Sequence, residues 1–133
     1  MKRTIIISAV FLLSLISCKK TEKTPEGPTD IRITNLSDVI MTNLIVNTSG
    51  GENNFGTLDP GGTSEYYRFE KAYPKANISA LINGQRFRTD SVKESDYLYY
   101  QYLGPMKATY KVYIKNALQK QLDIQVVPES ELK

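Results

Sequence analysis

The residues that could do chemistry are few in this chain. It has 133 residues, with no histidine and one cysteine, Cys18. The absence of histidine excludes imidazole bases and histidine-ligated metals, and a single cysteine excludes a disulfide within the chain. A serine nucleophile would have no histidine to activate it, and no Gly-x-Ser-x-Gly motif is present. We therefore predict no catalytic residues, no cofactor and no enzymatic activity, and we rank a hydrolase last among the functions considered.

Three carboxylates lie close together in sequence, at Asp90, Glu94 and Asp96. A loop with such oxygen ligands could bind calcium. However, the segment lacks the glycine and the regular spacing of an EF-hand loop. We therefore predict a solvated loop and no metal site.

The segment from Tyr97 to Tyr102 is unusual because four of its six residues are tyrosine. Alternation in a strand sends Tyr97 and Tyr99 to one face and the other two tyrosines to the opposite face, so one row meets solvent or a partner. Amphipathic rings suit sugar stacking or protein contact, although tyrosine also fills strands well. Nearby arginines could pair with an acidic partner or stay solvated. The candidate binding face is Tyr97, Tyr99, Tyr100, Tyr102, Arg86 and Arg88.

The first twenty residues have the organisation of an export signal. Two cations, Lys2 and Arg3, precede a mostly apolar run from Ile5 to Ile16, which ends just before Ser17 and Cys18. This run is too short for a permanent membrane span, which needs about 20 residues. We predict that residues 1–17 are a signal peptide that is cleaved off.

The stretch Leu15-Ile16-Ser17-Cys18 resembles a bacterial lipobox, with an apolar residue three positions before the cysteine and a small residue just before it. The resemblance implies that the Cys18 thiol carries diacylglycerol, that cleavage occurs before Cys18, and that the new amino terminus is acylated, commonly with palmitate. The alternative is an unmodified buried thiol beside an ordinary secretory signal. Two or more acyl chains anchor a protein stably, since each buried methylene adds about 0.8 kcal/mol.

The start of the mature chain resembles small outer-membrane lipoproteins of the Bacteroidota. Lys19 stands where an aspartate would favour retention in the inner membrane. The resemblance therefore implies an outer-membrane lipid anchor, and it leaves open whether the protein faces the periplasm or the cell surface. Residues 18–29 contain prolines, a glycine and no large apolar side chain, so we predict a flexible tether of about 20 Å.

A single β domain is predicted from residue 30 to residue 133. Short segments rich in Ile, Val, Thr and Tyr alternate with Gly, Pro, Asn and Asp. Their close spacing leaves no room for the crossovers of a parallel sheet, which favours an antiparallel sandwich of seven to nine strands. The predicted strands are Ile31–Asn35, Ile40–Thr48, Asn54–Leu58, Thr63–Phe69, Ala76–Ile82, Gln85–Asp90, Tyr97–Leu103, Ala108–Lys115 and Gln121–Val127.

Two hairpins can be placed in register. Asn83-Gly84 suits a two-residue type I′ turn, because both residues tolerate positive φ. This turn pairs Ile82 with Gln85, and it separates an apolar face (Ile78, Ala80, Ile82, Phe87) from a polar face (Asn77, Ser79, Arg86, Arg88, Asp90). The second hairpin joins the alternating segments Ala108–Lys115 and Gln121–Val127.

The turn at Asp59-Pro60-Gly61-Gly62, with its neighbours from Phe55 to Tyr66, is similar to immunoglobulin-like sandwich domains of Bacteroidota lipoproteins. This resemblance implies an all-β, antiparallel immunoglobulin-like β-sandwich and no active site. Asp90-Ser91-Val92 is similar to the short motif at which Bacteroidota O-glycosylate exported proteins, so Ser91 is a candidate for modification. The Asn-x-Ser/Thr sequences at Asn35, Asn47 and Asn77 carry little weight as glycosylation signals in a bacterial lipoprotein.

The expected function is non-enzymatic. From Asp30 onward 12 basic residues balance 12 acidic residues, so we expect no nucleic-acid partner. We predict a lipid-anchored binding or accessory module of the cell envelope, whose partners are the membrane and a glycan or envelope protein. The alternative is a structural component of the envelope or of a surface appendage that acts by β-strand pairing. The oligomeric state and the identity of the ligand stay open.

Overall fold

The structure is a computed structural model that describes residues 27–93, 95–96 and 101–131. These residues form eight β-strands, which confirms the predicted all-β class. The strands are β1 (Thr29–Asn35), β2 (Thr42–Asn47), β3 (Glu52–Asn54), β4 (Tyr67–Phe69), β5 (Asn77–Ile82), β6 (Gln85–Arg88), β7 (Met106–Asn116) and β8 (Gln121–Glu131).

All eight strands belong to one mixed sheet in the order β3-β2-β5-β6-β8-β7-β1-β4. The sheet divides into two halves of four strands, because β6 and β8 are joined by one residue pair, Arg88 with Gln121. The apolar side chains of both halves form one core, which includes Ile33, Leu44, Ile78, Tyr110 and Leu122. The core lies between the halves because alternate residues of each strand point inward.

The prediction of purely antiparallel pairing is wrong. β1 runs parallel to β7 over six residue pairs, from Asp30 with Lys107 to Asn35 with Val112, and β6 runs parallel to β8. A parallel neighbour requires a long crossover. Here that crossover is the chain from β2 to β6, in which β2, β3, β5 and β6 form the other half and β4 returns to pair with β1.

The two outer strands of the sheet, β3 and β4, lie close to each other. The ring of Phe55, just after β3, lies 6.4 Å from the rings of Tyr67 and Phe69 in β4. The Thr48 hydroxyl donates a hydrogen bond of 2.8 Å to the carbonyl oxygen of Lys71. The sheet therefore curves until its ends nearly meet, and both edges are only three residues long.

Three predicted strands differ from the structure. β3 ends at Asn54, since the Asn54 side chain accepts a hydrogen bond from the Gly56 amide and Gly56 has a φ of 79°. β4 begins only at Tyr67, because the Ser64 hydroxyl replaces a backbone acceptor for the Ile33 amide. In the third segment, Tyr97–Leu103, residues 101–103 are not in a strand, and residues 97–100 lie outside the described part.

Candidate functional site

A groove of about 370 Å³, lined by polar and apolar atoms in about equal measure, lies on the outer face of the half that contains β2, β5 and β6. Its lining comes mainly from strand residues that point away from the core and from the loop after β6, and it also includes the buried Ile78. The lining residues are Ile45, Asn47, Glu52, Asn77, Ile78, Ser79, Arg86, Arg88, Thr89 and Ser91. The groove combines carboxylate, amide, hydroxyl and guanidinium groups, which allows it to hydrogen-bond a polar ligand.

The β5–β6 hairpin places Arg86 and Arg88 in this groove. Asn83 and Gly84 have φ values of 53° and 74°, as a type I′ turn requires. The pairs Ile82 with Gln85 and Ala80 with Phe87 confirm the predicted register. Since Phe87 points into the core, the arginines on either side of it point outward.

The two arginines differ in what they contact. Arg86 Nη1 donates a hydrogen bond of 3.0 Å to the Ser79 hydroxyl. Within the described part of the chain, the Arg88 guanidinium has no carboxylate within salt-bridge distance and no hydrogen-bonded partner. Arg88 thus has its full set of side-chain donors available to a ligand.

Asn77 fixes the loop that borders the groove. Its Nδ2 donates to the Val92 carbonyl at 3.0 Å, and its Oδ1 accepts from the Val92 amide at 2.7 Å. This pair of bonds holds Ser91 at the groove with its side chain exposed. Ser91 is therefore accessible for modification, and whether it is modified stays a prediction.

The asparagines at the three glycosylation-like sequences all have structural roles. The Asn35 side chain is fully buried and makes four hydrogen bonds. Asn47 accepts a 2.9 Å bond from the Ser49 amide and donates at 3.3 Å to Glu52. Asn77 is tied to Val92 as described. These amides stabilise turns and loops.

The candidate tyrosine face falls mostly outside the described residues, which exclude Tyr97, Tyr99 and Tyr100. Tyr102 is half-buried in a connection without regular structure, and its ring lies 4.9 Å from the ring of the buried Tyr73. Tyr102 is not in the lining of the groove. The structure therefore does not bring Tyr102 together with the two arginines.

Two further predicted features, the lipidated cysteine and the three-carboxylate segment, lie wholly or partly outside the described residues. Cys18 and Glu94 lie outside the described residues. Asp90 contacts the Gln121 side chain and lies 3.9 Å from Lys115 Nζ, whereas Asp96 accepts a bond from the Lys93 amide. No group of three metal-ligating side chains occurs among the residues that were placed.

Sequence reasoning missed a charged cluster on the outer face of the other half. Arg32 donates to Glu129 Oε1 at 3.1 and 2.9 Å, and the hydroxyls of Thr109 and Tyr66 also donate to Glu129. Burial raises the pKa of the Glu129 carboxyl, but these hydrogen bonds outweigh burial and hold the pKa below its ordinary value. The same burial, together with the bond to Glu129, raises the pKa of Tyr66. The polar groups satisfy one another, so this cluster is structural.

The sequence matches no protein-family model and no curated protein. The fold is similar to the NMR structure of a protein from Eubacterium rectale, with a TM-score of 0.50 and 16% identity over 83% of this chain and 96% of that chain. At this identity the likeness concerns the fold alone. Across the described ranges, no helix has the length and apolarity needed to cross a bilayer.

Proposed function

We propose that this protein is a lipid-anchored cell-envelope lipoprotein that recognises a glycan or an envelope protein through the groove of Arg86 and Arg88. The observation that carries the proposal is the placement of these arginines on the β5–β6 hairpin, beside the groove. Binding sites built on strands hold their side chains more precisely than sites on loops. Tethering would keep this recognition surface at high local concentration near the membrane.

The anchor part of the proposal depends on Cys18 and places the protein in an outer membrane of the Bacteroidota type. Its support is the lipobox-like sequence before Cys18 and the tether of residues 18–29. β1 begins at Thr29, the last residue assigned to the tether, so the strand and the predicted tether overlap by one residue. Palmitate labelling of the wild type and of Cys18→Ser, followed by membrane fractionation, tests this part. Equal labelling of the two proteins would refute it.

The proposed fold family is the immunoglobulin-like sandwich in a variant with mixed pairing. Two four-stranded halves around one core, joined at a single residue pair, support this assignment. The alternative function, strand pairing with a partner, receives less support. The exposed edges are three residues long and lie against each other through Phe55, Tyr67 and Phe69, which leaves little unpaired backbone to extend.

Binding to an array of glycans and envelope proteins tests the recognition part. The full-length chain and its double variant Arg86→Ala/Arg88→Ala would be compared, and Tyr102→Ala would be tested beside them. We expect the double variant to lose the signal, because both guanidinium groups line the groove. Retention of the full signal by the double variant would refute the groove as the site, and a loss restricted to Tyr102→Ala would move the site to the tyrosine segment.

A further inference from the structure

The arginines of the folded domain fall into two classes. Arg32 and Arg68 lie on the half that contains β1, and each is paired with a carboxylate, Glu129 at 2.9 Å and Asp30 at 2.8 Å. The two arginines of the groove have no such partner in the described part of the chain. The two arginines on one half are therefore paired with carboxylates, whereas Arg86 and Arg88 on the other half are exposed and lack a carboxylate partner among the described residues.

The two arginines that lack a carboxylate partner lie close together. Arg86 and Arg88 are two residues apart on the same face of β6, which separates their Cα atoms by about 7 Å. In register, Arg88 lies beside Ser79, and Ser79 lies beside Ile45 on β2. The planar guanidinium group binds carboxylates through two parallel hydrogen bonds. Both arginines can thus bind one carboxylate-bearing ligand that lies across the strands.

The remaining lining distinguishes a sugar from a peptide. Protein partners are held mainly by apolar or aromatic anchors that fill desolvated pockets. The described lining offers only two apolar side chains, Ile45 and the buried Ile78. Its other members carry hydroxyl, amide, carboxylate or guanidinium groups, and Glu52 provides an acceptor for a hydroxyl donor. Polar and apolar atoms contribute about equally to the described lining, which has no aromatic anchor, and its donors and acceptors suit the hydroxyl groups of a saccharide.

We propose that the groove binds a saccharide that carries carboxylate groups, as a uronic acid does. Arg88, assisted by Arg86, holds the carboxylate, and Glu52 accepts hydrogen bonds from ring hydroxyls. This inference rests on the proposed recognition function and adds the chemical class of the ligand. It predicts that an acidic saccharide binds more tightly than a neutral saccharide of the same length.

Titration of the full-length chain in detergent tests the inference. The probes are short oligomers of galacturonic, glucuronic and mannuronic acid, a neutral galactose oligomer of equal length, and an oligo-glutamate peptide. We expect at least one uronate to bind about tenfold more tightly than the neutral oligomer, since charge-assisted hydrogen bonds are about twice as strong as neutral ones. Arg88→Gln should remove this preference while retaining weak binding, and the uronate affinity should fall as salt rises.

Lys111→Gln is the matched control, because it removes one positive charge from the outer face of β7, away from the groove. It should leave uronate binding unchanged. If none of the uronates binds, or if Arg88→Gln and Lys111→Gln weaken binding equally, the inference is wrong. Equal binding of uronate and neutral oligomers, lost in Arg86→Ala/Arg88→Ala, would overturn the acidic class and leave the recognition function standing. Binding of oligo-glutamate alone would overturn the saccharide assignment.

Discussion

Asn35 allows a quantitative test of how the fold is held together. This asparagine ends β1, and its side chain is fully buried. Its Nδ2 donates to the carbonyl oxygens of Val39 at 2.8 Å and Leu58 at 3.1 Å. Its Oδ1 accepts from the Ser37 amide at 2.9 Å and from the Ser37 hydroxyl at 2.6 Å. One side chain thus connects β1, the following loop and the segment around Leu58.

The cost of Asn35→Ala follows from these contacts. Each intramolecular hydrogen bond contributes about 1 kcal/mol net, and a buried group left unsatisfied costs about 1–3 kcal/mol. The carbonyls of Val39 and Leu58 each keep another donor, from the Ser37 hydroxyl and the Met41 amide. The Ser37 amide loses the acceptor that Asn35 provides. We therefore expect a loss of about 3 kcal/mol, a large part of a typical domain stability of about 5–15 kcal/mol.

Urea and thermal unfolding of the full-length chain measure this loss. At about 4–8 °C per kcal/mol for a small domain, the Tm of Asn35→Ala should fall by more than about 10 °C. Asn47→Ala is the control, since Asn47 also caps a turn but is only half-buried and bonds a backbone amide within its own turn. It should cost less than about 1 kcal/mol. Equal losses for the two variants would contradict the assigned role of burial.

Three further predictions concern stability. Gly50→Ala places a methyl group 2.5 Å from the Lys71 carbonyl oxygen and 2.7 Å from the Lys71 amide nitrogen. This substitution should lower the free energy of unfolding in urea by about 1–3 kcal/mol. An unchanged urea midpoint would show that the sheet ends do not meet there. Gly84→Ala has open space but a φ of 74°, so it should cost about 1 kcal/mol, whereas a gain in stability would argue against the type I′ turn. Because the folded pKa of Glu129 is lowered, its stabilisation is present above the unfolded value and is lost as pH falls through the folded value, below the ordinary 4.5. Acid titration of stability should therefore be shallower in Glu129→Gln than in wild type, and parallel curves would contradict the cluster.

Much of the candidate site follows from local sequence. Asn83-Gly84 determines the turn, and the turn determines which of the neighbouring residues share a face, so Arg86 and Arg88 could be assigned to the polar face in advance. The turn at Asp59 was also predictable, since Pro60 precedes Gly61, which has a φ of 74°. These features depend on the backbone preferences of a few neighbouring residues, and those preferences follow directly from the amino-acid types.

The tertiary structure alone decided which strands became neighbours. β1 pairs in parallel with β7, where Arg32 and Thr109 are 77 residues apart, and β2 brings Ile45 and Asn47 beside β5 to complete the groove. No local pattern specifies such a partner, because the same alternation of apolar and polar residues satisfies either direction and several registers. The choice depends on closing one core between the two halves, and only the whole folded chain provides that core. The amino-acid sequence alone therefore determines the alternation of apolar and polar residues in each strand, whereas the packing of the strands forms the groove.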